Sequence, residues 1–151
     1  MVIEARLKEL GITLPEPSAA VANYLPVVEE GGWITVSGQL PLQDGKLSCS
    51  GYVGGNVSVE EAYQAARLCA INGLAQIKQA AGSLERVRII RVGGFVASAA
   101  GFTGQPKVIN GASDLLVEVL GERGRHARAA VGVAELPMGA AVEVEFSARI
   151  L

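Results

Sequence analysis

The 151 residues fit one compact domain and leave no room for two of ordinary size. Half of them are hydrophobic and 19% are charged, which excludes a long disordered chain, while a 5% aromatic content beside 19 glycines demands a core of small, closely packed side chains. Thirteen Lys and Arg against fifteen Asp and Glu leave a net charge of −2, so nucleic acid is not an expected partner, and no apolar run nears the ~18 residues of a membrane span.

In chain order, residues 2–10 place Ile3, Leu7 and Leu10 at helical spacing, with Gly11 as a stop. Leu14-Pro15-Glu16-Pro17 forces an extended connector, because each proline restricts the residue before it. Tyr24–Glu29 and Trp33–Ser37 read as strands around a Glu30-Gly31-Gly32 turn. Asp44-Gly45-Lys46 signals another turn, and residues 47–57 read as a loop or weak edge strand. The clearest helix covers about 59–81. Ser58 is its N-cap, Glu61 completes a capping box, and Gly82 ends it. One side of that helix (Ala62, Ala65, Ala66, Cys69, Gly73, Ile77, Ala81) is made of small groups and can approach a sheet closely.

A strand follows over residues 86–96, then a helix over about 111–122. Two strands close the chain, Ala127–Ala134 and Ala141–Ile150, and in the last one Val142, Val144, Phe146 and Ala148 alternate with Glu143, Glu145 and Ser147. This order predicts an α+β two-layer sandwich: a single domain over 1–151 with a mixed sheet and both main helices on one face. Residues 1–20 read as an N-terminal extension to a 21–151 core. The start mixes charges with apolar residues and lacks a secretory pattern, so the expected compartment is cytoplasmic. Two cysteines and one histidine make a zinc site improbable, and Cys49 and Cys69 are expected to be reduced thiols.

Reading the last two strands as a hairpin turning near Pro137 would set Arg128 close to Ser147 and diagonal to Glu145, on one face. A guanidinium held beside a carboxylate suits the grip of a small carboxylate ligand. By pattern alone such a face is more often a solvated salt-bridge surface than an active site. A half-polar sheet face on a small domain also suits burial against another copy, which would put a site between chains. Gly51–Gly55 and Gly93-Gly94 match neither a phosphate loop nor a dinucleotide fingerprint. His126 has no Ser or Cys partner nearby in sequence.

The tail Ala127-Arg128-Ala129-Ala130-Val131, then Leu136-Pro137, then Val142-Glu143-Val144-Glu145, resembles the signature of the Rid family, also called YjgF/YER057c/UK114 or "endoribonuclease L-PSP". Ile34–Pro41 is similar to that family's second strand and Val108-Ile109-Asn110 to the start of its second helix, so the resemblance runs over about Tyr24–Ala148. It implies a chorismate-mutase-like fold and a homotrimer with clefts between subunits. It also implies hydrolysis of reactive 2-imino acids to 2-oxo acids and ammonia, without metal or cofactor. Carried over by residue, Arg128 would bind the substrate carboxylate and Glu145 would orient or activate water. Tyr24, Ser37 and Asn110 would line the cleft, with backbone groups of Gly38 and Ala130. His126 stands where the family usually has proline and Ala130 where its deaminase branch usually has cysteine, which marks a divergent branch. The competing readings are a non-catalytic trimer that binds a small carboxylate or regulates a partner, and an endoribonuclease, which the pI near 5.5 disfavours.

Overall fold

A computed structural model describes residues 1–19 and 22–151. Its elements in chain order are α1 (Val2–Glu9), β1 (Val27–Glu30), β2 (Trp33–Gln39), β3 (Leu42–Gln43), β4 (Lys46–Leu47), α2 (Val59–Ala81), β5 (Val87–Ala97), α3 (Gln105–Leu120), β6 (Ala127–Val133) and β7 (Val142–Ile150). Five strands make one mixed sheet in the order β1-β2-β7-β5-β6, with β5 and β6 parallel and the other neighbours antiparallel. The expected α+β sandwich is therefore present, and its helices share one face.

The local chemistry explains each element. Ser58 Oγ accepts the Glu61 N–H at 3.1 Å, and Gly82, at φ +79°, closes α2 by donating its N–H to the Lys78 carbonyl. The predicted small face of α2 is buried at every position except Ala81. At Gly73 an added Cβ would collide with the Phe146 ring of β7, so the missing side chain is what lets α2 settle on the sheet. The turn at Asp44 and Gly45 has φ of 53° and 76°, the left-handed pair that a two-residue hairpin demands, and it joins β3 to β4.

Three expectations change. The first strand begins at Val27, so Tyr24 precedes the sheet. Helix α3 starts at Gln105, six residues before the expected 111, because Pro106 sits in the first turn, where its lacking N–H costs nothing. The third change is topological: β6 and β7 do not form a hairpin. β5 lies between them, parallel to β6 and antiparallel to β7. The segment 134–141 carries the chain across β5, a step of ~10 Å that no tight turn spans.

α1 adds a third helix to the helical layer. Ile3 and Leu7 join the common core, Glu4 pairs with Lys78 of α2 at 2.8 Å, and Arg6 donates to the Glu118 carbonyl of α3 at 3.1 Å. Both cysteines are free. Cys69 is fully buried, and burial pushes its thiol well above the ordinary range, so it serves as a small core residue. No helix of the described residues is long and apolar enough to cross a membrane.

Candidate functional site

The sheet sorts the candidate residues by register. Arg128 pairs with Val92, a residue fully buried beneath the helices, so its side chain leaves β6 on the helical side of the sheet edge. There Nη1 donates to Ser113 Oγ at 3.0 Å and Nη2 to the Pro106 carbonyl at 3.3 Å. Pro106, Asn110 and Ser113 are spaced i, i+4, i+7 along α3, one stripe of the helix. Asn110 thus lies on the same stripe as the groups that anchor Arg128, and Ala130 follows two residues along β6. These three candidates share one edge of the molecule. Of five guanidinium N–H groups, two are engaged among the described residues, and five less two leaves three for a ligand.

Glu145 is elsewhere. Its register partner is Gly93, one residue on from Val92, so it rises from the opposite, helix-free face. A Cβ at Gly93 would meet Glu145 Cγ at 2.8 Å and Arg91 Nη1 at 3.1 Å, which places both side chains over that glycine. The expected diagonal pairing of Arg128 with Glu145 on one face fails for that reason. A hairpin would bring the two together, but the inserted β5 both separates the strands and puts the side chains on different faces.

Tyr24, Ser37 and Gly38 form a second cluster at the other side of the sheet. Together with Pro15–Ala19, Asn72 and Met138 they line a cavity of about 590 Å³. Ser37 is fixed from both ends: its N–H donates to the Pro26 carbonyl at 2.9 Å and its hydroxyl to the Leu25 carbonyl at 2.7 Å. Met138 holds φ at +61°, a costly conformation for a side-chain-bearing residue, at the cavity rim. Ala20 and Val21 fall outside the described residues. From β2, which carries Ser37 and Gly38, to β6, which carries Arg128, is a distance of three strands, ~14 Å.

Glu143 belongs to this second cluster, and the sequence reading did not single it out. A Cβ at Gly38 would stand 2.9 Å from the Glu143 carboxyl carbon, so the carboxylate lies over the Gly38 backbone, half-buried. Burial, and after it the charge of Glu145 two residues on, raises its pKa above the ordinary carboxylate value. The available signal was the glycine: a residue without a side chain at the end of a strand invites a neighbour to lie across it. Because the folded protein binds this proton more tightly than the unfolded chain, stability is greatest below the unfolded value and falls as pH rises through the folded one. Glu143→Gln should therefore melt above the wild type at pH 7.5, with the gap closing near pH 4, in paired thermal denaturation curves.

His126 has a partner after all. Its Nδ1 is 2.6 Å from the Gly124 carbonyl and its Nε2 2.8 Å from Ser113 Oγ, the same hydroxyl that accepts from Arg128. A separate groove of about 720 Å³, lined by Cys49, Asn56, Glu61 and Arg67 among others, contains none of the candidates. Burial, then Glu61, pushes the Cys49 thiol up, away from a reactive thiolate.

The comparisons agree with this architecture. The family model described as "YjgF/chorismate_mutase-like, putative endoribonuclease" matches residues 4–149. Protein TCP17 of Trypanosoma cruzi is 48% identical over 145 residues, covering 95% of this chain and 91% of that protein. The crystal structure of Atu1372 from Agrobacterium tumefaciens, a protein of unknown function, is 53% identical with a TM-score of 0.92, over 99% of this chain and 93% of that one. A Shewanella oneidensis protein described as a "putative endoribonuclease" is 38% identical with a TM-score of 0.95, over 99% of this chain and all 100% of that one. A match over nearly the whole length, on a sheet and helical layer of the same form, means that the chain belongs to the YjgF/chorismate-mutase-like family, the family of the Rid and L-PSP proteins.

Proposed function

We propose that the protein hydrolyses 2-imino acids to 2-oxo acids and ammonia in a cleft shared by two copies of the chain, within a homotrimer. The observation that carries this reading is the division of the site. Arg128, Asn110 and Ala130 stand at the β6 edge, while Tyr24, Ser37 and Gly38 line the cavity across the sheet and Glu143, on the central β7, lies over Gly38, each group incomplete alone. A closed ring that sets one copy's Arg128 edge against the next copy's cavity would unite them.

The chemistry then follows from the groups present. Arg128 receives the substrate carboxylate through two parallel N–H donors and fixes C2 in the cleft. The facing Glu143, poised by its raised pKa, takes a proton from water as the oxygen bonds to C2, and passes it to nitrogen. Glu143 then takes the carbinolamine hydroxyl proton and delivers it to the nitrogen, so the C=O bond forms as the C–N bond breaks, ammonia leaves and the 2-oxo acid remains. Glu145, first expected to handle the water, takes part as the neighbouring charge that helps to raise Glu143. Tyr24 and Asn110 close the cleft walls, and the Gly38 and Ala130 backbones offer polar groups to the substrate. An imine is already electrophilic, so placement and one proton relay are sufficient chemistry.

The test is direct. An amino-acid oxidase supplies 2-iminopropanoate, whose loss is followed with and without the protein, while light scattering reports the assembly. Faster hydrolysis, inhibited by pyruvate, by a protein of three-subunit mass is expected. Pyruvate binding without any acceleration would leave a carboxylate-binding regulator in place of an enzyme, and RNA cleavage that pyruvate does not inhibit would put the activity outside this cleft.

A further inference from the structure

We propose that Ser113 and His126 are positioning residues that lock the Arg128 guanidinium in the orientation that receives a carboxylate. The proposal rests on the reading of Arg128 as the carboxylate clamp and extends it to the machinery behind that clamp.

The direction of each proton follows from its neighbours. The Gly124 carbonyl can only accept, so Nδ1 of His126, 2.6 Å away, carries the ring proton. Nε2 of the neutral ring then holds a lone pair and accepts the Ser113 hydroxyl at 2.8 Å. With its hydrogen committed, the Ser113 oxygen turns its lone pairs outward, and Arg128 Nη1 donates to them at 3.0 Å. Each link fixes the next: carbonyl, imidazole, hydroxyl, guanidinium. The Pro106 carbonyl holds Nη2, so the fork is anchored at both terminal nitrogens from a single helix.

The surroundings favour this state. Burial, with the positive charge of Arg128, lowers the His126 pKa, which keeps the ring neutral and Nε2 an acceptor. The same geometry argues against Ser113 as a nucleophile beside a histidine base, because the oxygen lone pair that would attack is turned toward a cation. An unanchored arginine loses rotamer freedom when it binds a ligand; anchoring it beforehand removes much of that cost from binding. No such chain is visible in sequence, since Ser113 and His126 lie on different elements.

Four proteins decide the matter: wild type, Ser113→Ala, Ser113→Thr and Arg128→Ala, each titrated with pyruvate by calorimetry and checked for folding by thermal melting. Ser113→Ala should weaken binding about tenfold, one hydrogen bond to a charged group, and Ser113→Thr, which keeps the hydroxyl, should restore it to within about threefold. Because the chain has one histidine, its ring nitrogens are resolved by NMR without ambiguity. They should show the Nδ1–H tautomer and shift on pyruvate binding in wild type, and cease to shift in a folded Ser113→Ala protein that has been saturated with ligand. If Ser113→Ala binds as the wild type does while Arg128→Ala does not, the positioning role is overturned and the clamp stands. If Arg128→Ala binds pyruvate normally, the clamp itself is overturned.

Discussion

Arg128→Ala is expected to lower kcat/KM for 2-iminopropanoate by about 10²–10³-fold while leaving a folded oligomer. Two charge-assisted hydrogen bonds to a carboxylate contribute on the order of 3–4 kcal/mol together, and each 1.4 kcal/mol is tenfold. The fold should tolerate the change because Arg128 is half-buried on an edge strand and its lost partners, Ser113 and the Pro106 carbonyl, remain open to water. Lysine should not rescue it, since an ammonium offers a point charge where a planar fork is needed. A sharper form of the same prediction uses the division of the site. Arg128→Ala and Glu143→Gln, each inactive, are mixed in equal amounts, unfolded and refolded together. Random assembly of a ring with sites between neighbours gives about a quarter of all sites both native residues, and hence about a quarter of wild-type activity. No recovery would mean that one chain holds a whole site. Equal rates for wild type and Arg128→Ala would remove the clamp altogether.

The parts of this design that are periodic were legible from the residues. The alternation of Val142, Val144, Phe146 and Ala148 with Glu143, Glu145 and Ser147 names the buried face of β7, and burial in the folded chain agrees at each position. The Ser58 cap and Gly82 stop delimit α2 to the residue, because both are local chemical events within one turn of helix. The sequence shows only the second half of helix α3, for an equally local reason. Its first turn contains proline and its centre contains glycine, and both suppress a helical signal that tertiary packing restores.

What was not legible is long-range. Nothing in Ala127–Ile150 distinguishes a hairpin from two strands that admit a third between them; the choice is made by β5, some thirty residues upstream of β6, whose residues 91–96 pair with both. That single misreading moved Glu145 onto the wrong face relative to Arg128. It also hid Glu143, which is recognisable only once β2 and β7 are neighbours and Gly38 lies under its carboxylate. The division of the candidates into two clusters likewise belongs to the strand order, because a sequence motif lists residues without saying how far apart one sheet will hold them.

Gly111→Ala should be strongly destabilising for so small a substitution, lowering stability by about 2–3 kcal/mol and the melting temperature by roughly 5–10 °C. In an exposed helix the same change would stabilise by up to about 1 kcal/mol. Here the sign reverses, because the missing Cβ is the contact surface between α2 and α3. A methyl group at Gly111 would collide with the Tyr63 carbonyl oxygen, lie 2.9 Å from its carbon and 3.2 Å from the Arg67 nitrogen, and all of these are backbone atoms that no rotamer change can move. The helices would have to separate, opening voids among Ala62, Ala66, Ala112 and Leu115, which are fully buried. The consequence should reach function, since α3 carries both Pro106 and Ser113 and a displaced helix no longer presents them to Arg128. Below its melting temperature the variant is therefore expected to bind pyruvate more weakly than the wild type, although residue 111 touches no ligand. A Gly111→Ala protein that melts with the wild type would show that the two helices do not pack backbone to backbone. One that melts early yet binds normally would show that the guanidinium keeps its orientation without α3.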